Sequence, residues 1–183
     1  ATDVELEFFV SGALCVSFSG NCYMSIAGGE RSANRGSCAQ NCRLPYNLID
    51  GNGTTLLTES HLLSIKDLDL SDQLPNLIEA GITSFKIEGR LKDIVYVKNN
   101  TSFLRKKLDA FLENNESFQK ASSGRTFYNF EPEMDRSFNR GYTDYFVNQR
   151  KEKIGNWESP KSQGQYIGEI TEIKANGYVI ENH

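Results

Sequence analysis

The chain has 183 residues, 38% of them hydrophobic and 24% charged, with a net charge of −4. That length buries one core, or one domain and part of another, and the aromatic content argues against a disordered chain. The acidic balance argues against a globally basic nucleic-acid binder but leaves room for a local cationic patch.

No apolar run is long enough to cross a bilayer, and the stretch from Ala1 to Glu7 lacks the basic and apolar regions of a signal peptide. A reducing, cytoplasmic setting without a membrane partner is therefore expected, in which thiols stay free or bind metals.

In chain order, residues 5–10 alternate as a short strand does. Residues 11–47 are rich in Gly, Ser, Asn and Arg without periodicity, and a loop of that length in a compact domain is usually functional. His61 to Asp67 predicts the next strand. Ser71 or Asp72 is placed to cap a short helix through Leu74, Leu77 and Ile78, with Gly81 at the position after its end. Ile82 to Glu88 predicts a further strand, broken at Gly89. Ile94, Val97, Leu104, Leu108, Phe111 and Leu112 then recur at helical spacing, predicting an amphipathic helix from about Asp93 to Asn114.

Strand, helix, strand, helix with short connections is the rhythm of a parallel sheet with crossover helices. Two such units cannot close a barrel. The expected fold class is therefore α/β, the C-terminal part of a parallel β/α barrel of TIM type with a Cys-rich loop. The expected boundaries are 1–114 for the partial barrel, 115–160 for an irregular, aromatic linker and 161–183 for the start of a small β module. The basic runs 105–107 and 150–153 read as solvated faces.

All four cysteines, Cys15, Cys22, Cys38 and Cys42, fall in the long loop. Their spacing, C-x6-C-x15-C-x3-C, lacks the paired C-x-x-C knuckles of a structural zinc site. Four thiolates also suit a [4Fe–4S] cluster. Spacing alone leaves cluster and zinc about equal, with inert buried cysteines as a third reading.

The run E-x-F-x-x-G-A-L-C-x-x-x-x-G-x-C-x-M-S from Glu7 to Ser25 resembles the signature of the collagenase-like peptidase family thirty-two of unassigned mechanism. R-S-A-N-R-G-S-C-A-Q-N-C-R-L-P-Y from Arg31 to Tyr46, F-K-I-E-G-R at 85–90 and S-F-N-R-G-Y-T-D-Y-F at 137–146 also resemble this family, closest to its branch acting on ribosomal RNA. The resemblance implies hydroxylation of an RNA base, a cytidine of large-subunit rRNA or a uridine of tRNA, with prephenate as a co-substrate. It implies a [4Fe–4S] cluster on Cys15, Cys22 and Cys38, with Cys42 as the fourth ligand, and an internal fragment of a longer fold. The activity after which the family is labelled, peptide hydrolysis, is the alternative.

A peptidase needs a nucleophile with a base, or an open metal site. The two histidines, His61 and His183, stand in no metalloprotease or serine-elbow motif. If the sheet belongs to a barrel, the strand ends carry the chemistry. Glu88 and Asp67 are then the candidate base or proton relay, and Lys66 and Arg90 the candidate grip on RNA phosphate or a small anionic metabolite. Arg31, Arg35 and Arg43 surround the cysteines and would balance cluster charge or meet substrate. A strand-end ion-pair network is the plain alternative for the carboxylates, and core packing for Tyr142, Tyr145 and Phe146.

Overall fold

The computed structural model describes residues 4–121, 123–150 and 153–182. Strand β1 (Glu7–Ala13) lies inside a four-stranded sheet and is flanked on both sides. It pairs in parallel with β5 (Ser84–Ile87) and antiparallel with β4 (Asp67–Asp69). β4 in turn pairs in parallel with β6 (Tyr142–Thr143), giving the order β5-β1-β4-β6.

The expected parallel sheet is thus mixed among the described strands, with β1 and β4 opposed. The strand predicted over 61–67 also differs. Its backbone groups go elsewhere: His61 N–H donates to the Trp157 carbonyl, Lys66 N–H to Ile154, and Ser64 N–H turns back to His61. The ladder therefore starts only at Asp67. The aromatic stretch read as a linker supplies β6, and a hairpin of β2 (Tyr46–Ile49) and β3 (Thr55–Ser60) follows the Cys-rich loop.

After the short helix α1 (Met24–Ala27) in the Cys-rich loop, helix α2 (Leu74–Glu79) is entered from a 3-10 turn at Ser71–Gln73 without the expected side-chain cap from Ser71 or Asp72, but it ends as its sequence predicts. Gly81 takes φ +92°, its N–H donates to Ile78 and Ile82 N–H donates to Leu77, the paired bonds of a Schellman ending. Helix α3 (Ile94–Glu113) is capped by Asp93, whose carboxylate accepts from Tyr96 N–H at 2.7 Å. Val10, Leu68, Leu70, Leu74, Leu77 and Leu104 form the core between sheet and helices. Each such burial contributes about 1.5–3 kcal/mol.

The first half of α3 does not bury the face expected of it. Ile94 is 65% exposed, whereas Tyr96, Asn99 and Asn100 are buried. The cause is the chain around Glu133, whose N–H donates to Asn99 Oδ1 at 2.9 Å and whose carbonyl accepts from the same amide. A polar face is needed there to satisfy passing backbone.

Burial, with Asp67 and Glu88 nearby, pushes the Tyr96 phenol up to about 12. The folded state therefore holds this proton more tightly than the unfolded chain, so the stabilisation is complete below pH 10 and is lost as pH rises toward 12. Stability at 25 °C is expected to fall by about 2 kcal/mol across that window through this group. Urea titrations at pH 9 and pH 12 check it, and Tyr96→Phe flattens the difference by that amount.

The basic run 105–107 is neutralised in place: Arg105 pairs with Asp109, Lys106 with Glu131 and Lys107 with Asp72. The run 150–153 lies partly outside the described residues. Beyond it, β7 (Glu169–Lys174) and β8 (Gly177–Glu181) form an antiparallel hairpin. No helix among the described residues is long and apolar enough to cross a membrane.

Candidate functional site

The topology sends four chain segments to one edge of the sheet. Because β5 runs with β1, the ends of both strands lead to this edge, at Cys15 and Glu88. Because β4 runs against β1, it is the start of β4, Asp67, that faces Ala13. β6 runs with β4, so the residues just before Tyr142 arrive there too.

Gly12 allows the β1 and β5 ends to meet. Its φ is +139°, and a Cβ on it would stand 2.5 Å from Glu88 Cβ.

A cleft of about 650 Å³ opens at this edge, lined by Cys15, Cys38 and Cys42 together with Arg31, Arg43, Glu88, Arg90, Lys92, Asp93, Phe138 and Arg140. Five cations against two carboxylates make it an anion-attracting hollow in an acidic chain.

Arg43 builds its floor. One guanidinium nitrogen donates to Ser64 Oγ at 2.9 Å and to the Ile65 carbonyl, the other to the Leu14 carbonyl at 3.1 Å. It ties the end of β1 to the 61–65 turn, and burial lowers its pKa. His61 Nδ1 completes this joint against the Arg43 carbonyl at 2.8 Å.

Asp67 and Arg140 form a buried pair. Arg140 Nη1 donates to Asp67 Oδ1 at 2.8 Å, and the Arg140 backbone N–H donates to Oδ2 at 3.1 Å. Arg140 Nε donates to the Pro160 carbonyl at 2.9 Å. Lys92 Nζ sits 3.2 Å from the centroid of the Phe138 ring, and Arg140 approaches the same ring at 4.8 Å. Burial first, then Arg140, lowers the Lys92 pKa.

The Cys-rich loop is tied to itself. Asn34 Oδ1 accepts from Cys22 N–H at 2.8 Å, Ser25 Oγ from Ala39 N–H at 3.1 Å, and the Met24 carbonyl from Asn41 at 2.9 Å. Arg31 donates to the Cys38 carbonyl at 2.8 Å, and Gln40 N–H points at Cys38 Sγ at 3.3 Å. The Ser17 hydroxyl, with the Met24 amide, lowers the Cys22 thiol pKa. Burial raises that of Cys42, which also feels the charges of Arg43 and of the other three cysteines.

All four thiols are free. Among the described residues no three His, Cys, Asp or Glu side chains converge closely enough for one metal ion. A tetrahedral zinc site needs that convergence, with each sulfur about 2.3 Å from the ion. A four-iron cluster distributes its thiolates over separate irons, and four soft donors on one loop, three of them lining the cleft, are the residue types it would use.

Of the residues expected from sequence, Cys15, Cys38, Cys42, Arg31, Arg43, Glu88 and Arg90 come together in the cleft. Asp67 lies beneath it, holding Arg140. Cys22 lies outside the lining, within electrostatic reach of Cys42. Lys66 turns its stem toward Gly141, and Arg35 is exposed on the outer turn of the loop, so neither lines the cleft. Tyr145 packs on the core, and Tyr142 donates to the Met134 carbonyl. His183 is outside the described residues.

Lys92, Phe138 and Arg140 were not legible as site residues. Their signal was the F-N-R-G run inside a segment already resembling the family, and the cation two positions beyond Arg90.

The model of peptidase family U32 matches residues 1–157. The chain is 53% identical over 173 residues to the 23S rRNA 5-hydroxycytidine synthase of Escherichia coli (strain K12), covering 94% of this chain and 26% of that protein. It is 35% identical over 185 residues to a tRNA hydroxylation protein P of Helicobacter pylori, covering 93% and 42%. A collagenase of Porphyromonas gingivalis is 33% identical over 171 residues, covering 90% and 45%. The chain thus spans from about a quarter to just under half the length of these relatives. No solved structure matches it significantly. A family match over residues 1–157, with a relative 53% identical over 94% of the chain, makes this chain a member of peptidase family U32.

Proposed function

We propose that the chain supplies the cofactor loop and substrate cleft of an RNA nucleobase hydroxylase. The observation that carries this reading is the shared cleft: three cysteines face the same hollow as five cations. Relatives named for rRNA and tRNA hydroxylation support the substrate class. Cys15, Cys22, Cys38 and Cys42 are the residues that would hold a [4Fe–4S] cluster, whose chemistry is one-electron transfer.

The chain's own side chains do the rest. Arg90, exposed at the rim, and Arg31 meet phosphate. Arg140 is held in place by Asp67, and Lys92 by the Phe138 face. These inner cations equally suit a small carboxylate such as prephenate, the co-substrate expected from the resemblance. Glu88, at the end of β5, is the carboxylate placed to accept a proton. We also infer that the parallel β1–β5 pair, rather than the whole mixed sheet, belongs to a larger β/α barrel, because the antiparallel β1–β4 pair has no place in an all-parallel one.

Peptide hydrolysis finds little to work with. His61, the one histidine among the described residues, is spent on the Arg43 carbonyl and does not line the cleft.

The test is nucleoside mass spectrometry of rRNA and tRNA from cells lacking the full-length protein and from cells complemented with wild type or Arg90→Ala. Wild type is expected to restore a hydroxylated nucleoside. Arg90→Ala is expected to restore about tenfold less at limiting expression, the loss of one phosphate contact. No nucleoside lost in the deletion strain, together with gelatin cleavage by the purified protein, would replace this reading with the peptidase.

A further inference from the structure

Leu91 is a residue for which the fold offers no internal use. It is 89% exposed and its backbone stands at φ +60°, a left-handed conformation that costs a leucine and suits a glycine. The turn that holds it is closed by Lys92 N–H donating to the Gly89 carbonyl at 3.0 Å. Leu91 lies on the rim of the cleft, between Arg90, free in solvent, and Lys92, fixed on Phe138. Leu91 thus presents an apolar tip flanked on both sides by positive charge. It is well matched to a nucleic acid, in which phosphates flank apolar base faces.

An enzyme that does chemistry on a base inside a folded RNA must take that base out of its stack. Proteins that open base steps do so with single apolar side chains inserted from a cationic surface. We propose that Leu91 is such a wedge, entering the stack at the position vacated by the target base while Arg90 and Lys92 hold the adjacent backbone. The proposal rests on the RNA-hydroxylase reading above. It adds the residue that selects a stacked target and the class of substrate, a base in folded RNA.

The test uses the full-length protein and two forms of the RNA segment whose nucleoside is lost in the deletion strain. One form is natively folded with the target base stacked; the other is a short single-stranded oligonucleotide bearing the same base. Leu91→Ala and Leu91→Gly are expected to slow hydroxylation of the folded RNA about tenfold or more, with less than about twofold change on the oligonucleotide. Leu91→Met is expected to retain activity on both. Leu91→Gly relieves the backbone, so its thermal stability is at least that of the wild type and misfolding does not explain the loss. Equal losses on the two RNAs, or no loss on either, would overturn the wedge alone. Wild-type protein that hydroxylates neither RNA would sink the underlying reading and the wedge with it.

Discussion

Asp67→Ala is expected to destabilise the chain by about 3–5 kcal/mol, read as a lowered midpoint in urea. The carboxylate takes the Arg140 guanidinium on one oxygen and the Arg140 backbone N–H on the other, and the two side chains are only 9% and 7% exposed. Without Asp67 the guanidinium keeps its bond to Pro160 but stands buried and uncompensated. The same change loosens the start of β4, where Asp67 is in register with both Ala13 and Tyr142. Replacing both partners, as in Asp67→Ala with Arg140→Met, is expected to cost less than Asp67→Ala alone, because no charge is left buried. A cost below about 1 kcal/mol for the single change would mean the pair does not hold this edge together.

Cys15→Ser is expected to bring hydroxylation to background while leaving the fold within about 0.5 kcal/mol of wild type. Cys15 is exposed, so its sulfur carries little packing, yet it lines the cleft beside Cys38 and Cys42. Serine is close to cysteine in shape but is a poor ligand for iron. Anaerobically purified wild-type protein is expected to absorb in the brown region and carry about four irons per chain, and Cys15→Ser much less of both. Zinc in place of iron, or full hydroxylation by Cys15→Ser, would refute the cluster.

Much of the local structure was legible because it is set by near neighbours. Gly81 ends α2 by adopting a conformation that other residues avoid, and Asp93 caps α3 by reaching an amide three residues on. Such signals operate within one turn of chain and need no tertiary partner. The 61–67 strand misled for the opposite reason. Its apolar spacing is real, but its backbone groups are satisfied by residues 154–157, a pairing that lies ninety residues away in sequence. The polar face of α3 was hidden likewise, since Asn99 has a purpose only once Glu133 lies against it.

By itself the sequence determined the thiol loop, the end of α2, the span of α3 and the family. Only the tertiary structure decided which of those residues meet. Antiparallel pairing of β1 with β4 brings the start of one strand to the end of the other, so Asp67 becomes the buried partner of Arg140 rather than an open carboxylate. The tertiary structure also seats Lys92 on Phe138 and leaves Lys66 and Arg35 outside the cleft. Strand direction and burial arise from contacts between distant segments, and those contacts choose a side chain's role among the several its chemistry allows.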